Sequence, residues 1–191
     1  MMSEGGGRGG HVPRSVLVRG DGFTPQFGDV AGVSEDASLR LLALEFSPRV
    51  TTDLDAWERR LGRRPSELAV VTAGPGEGAT ETEHPVKSVS SPADLTGIGM
   101  ATTKFLADWE AAPGTPVVVL DSLTVLLQYT STRSLYQFLH ALTVRIGEAD
   151  AHGLFHLDPA TQDEKTVHTL ASLFDAVADQ TDDGEWRLRT R

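Results

Sequence analysis

The chain contains no cysteine, which excludes a disulfide framework and any zinc–thiolate centre. Lysine is nearly missing as well: Lys87, Lys104 and Lys165 are the whole supply, and arginine carries almost all the positive charge. Long apolar runs are absent too. The longest, from Leu120 to Tyr129, is interrupted by Asp121, Ser122 and Thr124, far from the roughly 20 apolar residues needed to span a bilayer. No apolar stretch follows the start, where Met1 to Gly10 is polar and glycine-rich. A secretory signal is therefore not expected, and residues 1–13 read as a flexible tail.

What is present is acid. Aspartate and glutamate number 27 against 17 lysines and arginines, a formal net charge of −10. A nucleic-acid partner is not expected, because such binding depends on lysines and arginines that release counterions from the phosphates. An acidic, lysine-poor surface suits a protein kept soluble at high salt, and the expected compartment is the cytoplasm. A length of 191 residues fits one α/β domain over residues 14–191 with a single sizeable core.

Strand and helix signals alternate along the chain. Ser15 to Arg19 reads as a short strand closed by Gly20-Asp21-Gly22. Between Gly20 and Ser38 there is no helical spacing. Leu39 to Phe46 reads as a buried strand, and Thr52 as the cap of a helix that presents Leu54, Trp57 and Leu61 before Gly62 ends it. Strands follow at Leu68 to Thr72 and Val86 to Val89, on either side of an exposed loop from Gly74 to Pro85. Ser91-Pro92-Ala93-Asp94 reads as a serine-capped helix start, and Leu95, Ile98, Thr102, Phe105 and Trp109 form its apolar stripe.

The run Val117-Val118-Val119-Leu120 then makes a strand that delivers Asp121 and Ser122. Leu135 to Ile146 mark a second amphipathic helix, terminated by Gly147, and Ala151 to Leu157 another strand. Thr161 with Glu164 forms a capping box ahead of Val167, Leu170 and Phe174. The acidic stretch Asp175 to Glu185 reads as a solvated face and turn before a last strand, Glu185 to Arg189. The alternation predicts an α/β fold, a mostly parallel central sheet with helices on both faces.

Several motifs carry a family resemblance: Ser91-Pro92-Ala93-Asp94-Leu95-Thr96, Asp121-Ser122-Leu123-Thr124-Val125-Leu126-Leu127-Gln128-Tyr129, Phe138-Leu139-His140-Ala141-Leu142-Thr143, His156-Leu157-Asp158-Pro159 and Leu173-Phe174-Asp175-Ala176. With them, Leu39 to Arg191 resembles the RecA/KaiC-like ATPase superfamily, and more narrowly a haloarchaeal branch of KaiC-like domains. The resemblance implies a degenerate phosphate-loop NTPase fold in which Asp121 matches the Mg²⁺-holding aspartate. Glu45-Phe46-Ser47-Pro48 matches the stretch that carries a pair of glutamates to polarise the attacking water, and retains at most one of them. The superfamily's glycine-rich phosphate cradle and its lysine would fall between Gly20 and Ser38, where there is no lysine. Gly97-Ile98-Gly99 leading to Thr103-Lys104 lacks a glycine before the lysine and a Ser or Thr after it, and sits inside a predicted helix.

The resemblance therefore implies a domain that is not an enzyme, with a regulatory or protein-interaction role. Its partners would be further copies of itself or an intact RecA/KaiC-like ATPase. The alternative is an unconventional protein that binds weakly or hydrolyses Mg-ATP through Asp121 and Glu45. Asp121, Ser122 and Glu45 are thus the candidate site, either as a working Mg²⁺ and nucleotide site or as a relic in which Asp121 caps its strand end against Ser122 or nearby amides. No metal site is expected elsewhere: His152 and His156, four apart on one strand, lie roughly 13 Å from each other, too far to share an ion. Ser122 lacks the G-x-S-x-G setting of a nucleophile and reads as a cap. His140, one place beyond its helix's apolar stripe, reads as a partly buried histidine.

Overall fold

The computed structural model of the protein describes residues 12–20, 33–34, 36–46, 50–73, 83–181, 183 and 185–191. Residues 1–11 of the expected tail, most of the 20–38 connection, Ser47-Pro48 and most of the 74–85 loop lie outside them, whereas Pro13, read as part of the tail, is buried.

Among the described residues, eight strands form one sheet: β1 (Ser15–Arg19), β2 (Leu39–Glu45), β3 (Glu67–Ala73), β4 (Val86–Val89), β5 (Thr115–Asp121), β6 (His152–Leu157), β7 (Ala176–Gln180) and β8 (Trp186–Thr190). Their spatial order is β4-β3-β2-β5-β6-β1-β7-β8. All neighbours run parallel except β7 and β8. Among the described residues, five α-helices accompany them: α1 (Leu54–Leu61), α2 (Leu95–Trp109), α3 (Leu123–Tyr129), α4 (Thr132–Glu148) and α5 (Glu164–Ala171). None among the described residues is long and apolar enough to cross a membrane.

The central strands are apolar throughout because both faces are covered. Residues of β2 alternate between two cores. Leu42 and Leu44 pack with α2 to α5, while Leu39, Leu41 and Ala43 pack with Trp57 and Leu61 of α1. The chain leaving β2 turns to α1 and then β3, away from β5. The chain leaving β5 turns to α3 and α4 on the other face and then β6. The carboxyl ends of β2 and β5 therefore flank a topological switch point, where open α/β sheets form their ligand crevice.

Several local expectations shift. Asp53, not Thr52, caps α1 by accepting from the Asp55 amide. Asp94 caps α2, accepting from the Gly97 amide at 2.8 Å, while Ser91 Oγ only closes the preceding turn by accepting from the Ala93 amide. A carboxylate outcompetes a hydroxyl at a helix N-terminus because it also answers the dipole. Gly147 lies within the last turn of α4, and Asp150 takes the left-handed conformation instead, at φ 54°. Asp163 caps α5 in place of Thr161, which belongs to a 3₁₀ turn. Ser122 does act as a cap, its Oγ accepting from the Val125 amide at the start of α3.

The acidic stretch from Asp175 is only partly a solvated turn, since it contains β7, which pairs with β1. Its buried residues, Ala176 and Ala178, are too small to stand out as an apolar strand. Asp175 itself is a structural acceptor: its Oδ2 takes hydrogen bonds from the Arg14 and Ser15 amides and from Ser15 Oγ, at 2.9–3.0 Å. His140 is exposed on α4 rather than partly buried, because one residue beyond the stripe is a 100° turn toward solvent.

Candidate functional site

Glu45 and Asp121 are the last residues of β2 and β5 and are partners in the parallel register. Side chains alternate between the faces of a strand. With Leu44 and Leu120 packed against the α2–α5 layer, Glu45 and Asp121 project to the α1 face. On β6, Phe155 also packs in the α2–α5 core while Leu154 faces α1, so His156 falls beside Asp121 on the α1 side. The peptide bond between Asp121 and Ser122 is cis.

Each carboxylate is met by the chain's own cations. Arg60 of α1 donates from Nη1 to Glu45 Oε1 at 2.6 Å and places Nη2 3.7 Å from Asp121 Oδ2. Glu45 Oε2 accepts from the Thr51 amide. Asp121 Oδ1 lies 3.0 Å from His156 Nδ1, and His156 Nε2 lies 3.1 Å from the Gly20 carbonyl at the end of β1. Both ring nitrogens thus face acceptors, and only the imidazolium satisfies the two at once.

Arg60 is held in position by its own helix. Three residues along, on the same side of α1, the Trp57 ring lies 4.8 Å beneath the guanidinium, and Trp57 Nε1 donates to the Thr51 carbonyl at 3.0 Å. Trp57, Thr51, Glu45 and Arg60 therefore lock one another. Read across the sheet, Glu45, Arg60, Asp121 and His156 alternate in sign and tie together the ends of β2, β5, β6 and β1.

Burial is nearly complete for Glu45, whose side chain is 2% exposed, whereas Arg60 is 33% exposed. Burial pushes the Glu45 carboxyl above its usual range and the Asp121 charge adds to this, against a partial pull downward from the Thr51 amide and Arg60. For His156, burial works against the charged ring. The Asp121 hydrogen bond and charge, with help from the Gly20 carbonyl and Asp158, outweigh it and raise the pKa above 6.5.

Among the described residues, the charges of Glu45, Arg60, Asp121 and protonated His156 cancel, so these four side chains offer no surplus positive charge to a phosphate. A metal ion at Asp121 would have to displace Arg60 or His156. Among the described residues no group of three or more His, Asp and Glu side chains is arranged to hold a metal ion. Nor does the cluster supply a base and nucleophile, because His156 is committed at both nitrogens and Ser122 Oγ caps α3. Lys104 is ion-paired with Asp108 on α2, while Lys87 lies on β4 and Lys165 on α5.

The structure brings Glu45 and Asp121 together, with Ser122 next to them in a capping role. It corrects the partners of Asp121, which are His156 and Arg60 rather than Ser122. His152 sits at the opposite end of β6, where burial, with Arg14 nearby, lowers its pKa, and Asp158 caps the 3₁₀ turn. Arg60 and the pairing of His156 escaped the sequence reading. The one signal for Arg60 was its place three residues after Trp57.

A family-wide sequence pattern matches residues 14–179 of the chain. The chain belongs to the family of unknown function DUF7504. The match takes in Glu45, Arg60, Asp121 and His156 of this DUF7504 protein. No curated protein matches it in sequence.

Among solved structures, the DUF7504 chain is similar to PH0250 from Pyrococcus horikoshii OT3, with a TM-score of 0.55 and 8% identity over 93% of this chain and 86% of the other. It is also similar to the uncharacterised protein PH0321 from Pyrococcus horikoshii, solved in complex with an unknown peptide. That match has a TM-score of 0.51 and 11% identity over 93% and 84% of the two chains. At such identities the likeness is one of fold.

Proposed function

We propose that this DUF7504 protein is a non-catalytic domain of RecA/KaiC-like descent that acts in the cytoplasm through contact with other proteins, as a regulatory or interaction subunit. One observation carries the reading. The two carboxylates at the switch-point crevice, Glu45 and Asp121, are neutralised by Arg60 and His156 of the same chain. Phosphoryl transfer needs a metal carboxylate that is free to bind Mg²⁺ and a cationic cradle for the phosphates. Here the carboxylate is engaged, and no lysine precedes Lys87. Further copies of the chain, or an intact RecA/KaiC-like ATPase, are the partners in keeping with this role. A protein of similar fold, PH0321, was solved with a bound peptide.

The register of Glu45 with Asp121 at the crevice is what favours the second reading, weak binding or hydrolysis of Mg-ATP, which would require Arg60 to swing out. Phosphate release from Mg-ATP in molar salt, compared between wild type and Asp121→Ala, tests the pair. The account predicts no turnover in either. Turnover in the wild type that disappears in Asp121→Ala would establish the second reading instead.

A further inference from the structure

The outer face of α2 and α4 carries a depression that the switch-point cluster does not explain. Between the two helices lies an open groove of about 760 Å³, lined by apolar and small side chains including Leu95, Ala107, Phe138 and Ala141. A second depression, about 460 Å³, lies on the other side of α2 toward β4. Met100 lines both and is 70% exposed. The surface is thus an apolar knob with a hollow on each side of it.

Gly99, in the interior of α2, helps to line the larger groove. A glycine there costs the helix about 0.5–1 kcal/mol relative to alanine. Among the described residues no close packing contact accounts for that cost. A Cβ at Gly99 would make only an ordinary 3.6 Å contact with the Phe138 ring, whereas one at Gly97 would run into Asp94 at 2.4 Å. What Gly99 does provide is depth beside Met100.

We infer that this face binds a second copy of the chain, the Met100 of each copy entering the groove of the other. A two-fold contact uses the same patch on both molecules, so the patch must carry both the projection and the cavity. This one does. Charge points the same way. The chain carries −10 overall, so two copies repel over most of their surface. Here Lys104 pairs with Asp108, and Arg145 with Glu110 and Glu148, which leaves the rim close to balanced.

This inference gives the protein-interaction reading its partner and rests on it in that respect. Sedimentation equilibrium of the full chain over a range of salt concentrations tests it. The wild type should dimerise, more tightly as salt screens the net charge. Met100→Glu and Gly99→Leu should each weaken the dimer by about tenfold or more, in the range of a central interface residue. At concentrations low enough to keep every protein monomeric, the melting temperature should be unchanged in the first, because Met100 is exposed in the single chain, and unchanged or raised in the second. A wild type that stays monomeric at its highest soluble concentration overturns the inference and leaves the face to a different protein. A dimer that survives both substitutions overturns it too. Neither outcome bears on whether Mg-ATP binds, on which the non-catalytic reading turns.

Discussion

Replacing Arg60 by methionine removes the guanidinium while keeping a side chain that can pack on the Trp57 ring. Glu45, 2% exposed, then remains buried without its cation and next to the Asp121 carboxylate. Removing one member of a buried ion pair costs about 3–5 kcal/mol. Arg60 is one-third exposed and the Thr51 amide still serves Glu45, so screening brings the figure to about 2 kcal/mol. For a chain of this length that is a fall in melting temperature of about 6 °C.

The loss should depend on pH in a defined direction. The Glu45 carboxyl is already raised above 4.5 in the folded protein, and without Arg60 it rises further. A group of this kind binds its proton more readily folded than unfolded. Its contribution is fully present below the unfolded value and is lost as pH rises through the folded one. The deficit of Arg60→Met is therefore largest at about pH 8 and shrinks toward about pH 5. Urea unfolding of both proteins at the two pH values measures it. Equal midpoints at the higher pH, or a deficit that acid does not reduce, would refute the assignment of Arg60 as the counter-ion of Glu45.

His156 gives a second pH signature. Because its pKa is raised above 6.5, its stabilisation is complete below that value and fades as pH climbs through the folded pKa. His156→Asn should therefore be less stable than wild type by about 1–2 kcal/mol in mild acid, with the difference closing above neutrality in denaturant titrations. Arg40, 6% exposed, donates from Nε and Nη2 to Glu67 at 2.9 and 2.7 Å and from Nη1 to the Trp109 carbonyl. Its guanidinium also lies over the Trp109 ring. Arg40→Ala should cost about 3 kcal/mol, read as a lower urea midpoint at unchanged slope. Gly153→Ala should cost about 1–3 kcal/mol by overpacking, since a Cβ there would meet Phe155 at 2.6 Å and Ile146 at 3.0 Å. Thermal melts check that value.

Periodicity revealed most of the scaffold. β1 and β4 lie where alternation and turn signals put them, and the apolar run of β5 ends at Asp121 as read. Boundaries moved where a carboxylate took a cap from a nearby hydroxyl, at Asp53, Asp94 and Asp163. β7 went unseen because its buried side chains are alanines, and α3 because a seven-residue helix directly after a strand shares that strand's apolar run. Of the site, the carboxylates were legible because each ends an apolar strand. Their partners were not: Arg60 lies 15 residues from Glu45, and His156 lies 35 from Asp121. Sheet order, not sequence spacing, brings those groups together. The stretch between Gly20 and Ser38, where the resemblance put a phosphate cradle, falls largely outside the described residues.

In the proposed reading Asp121 is spent on internal cations and does not hold nucleotide. Calorimetric titration of the full chain with Mg-ATP in molar salt tests it most directly. The account predicts no saturable heat at millimolar nucleotide, in wild type and in Asp121→Ala alike. A saturable isotherm in the wild type that Asp121→Ala abolishes would contradict it.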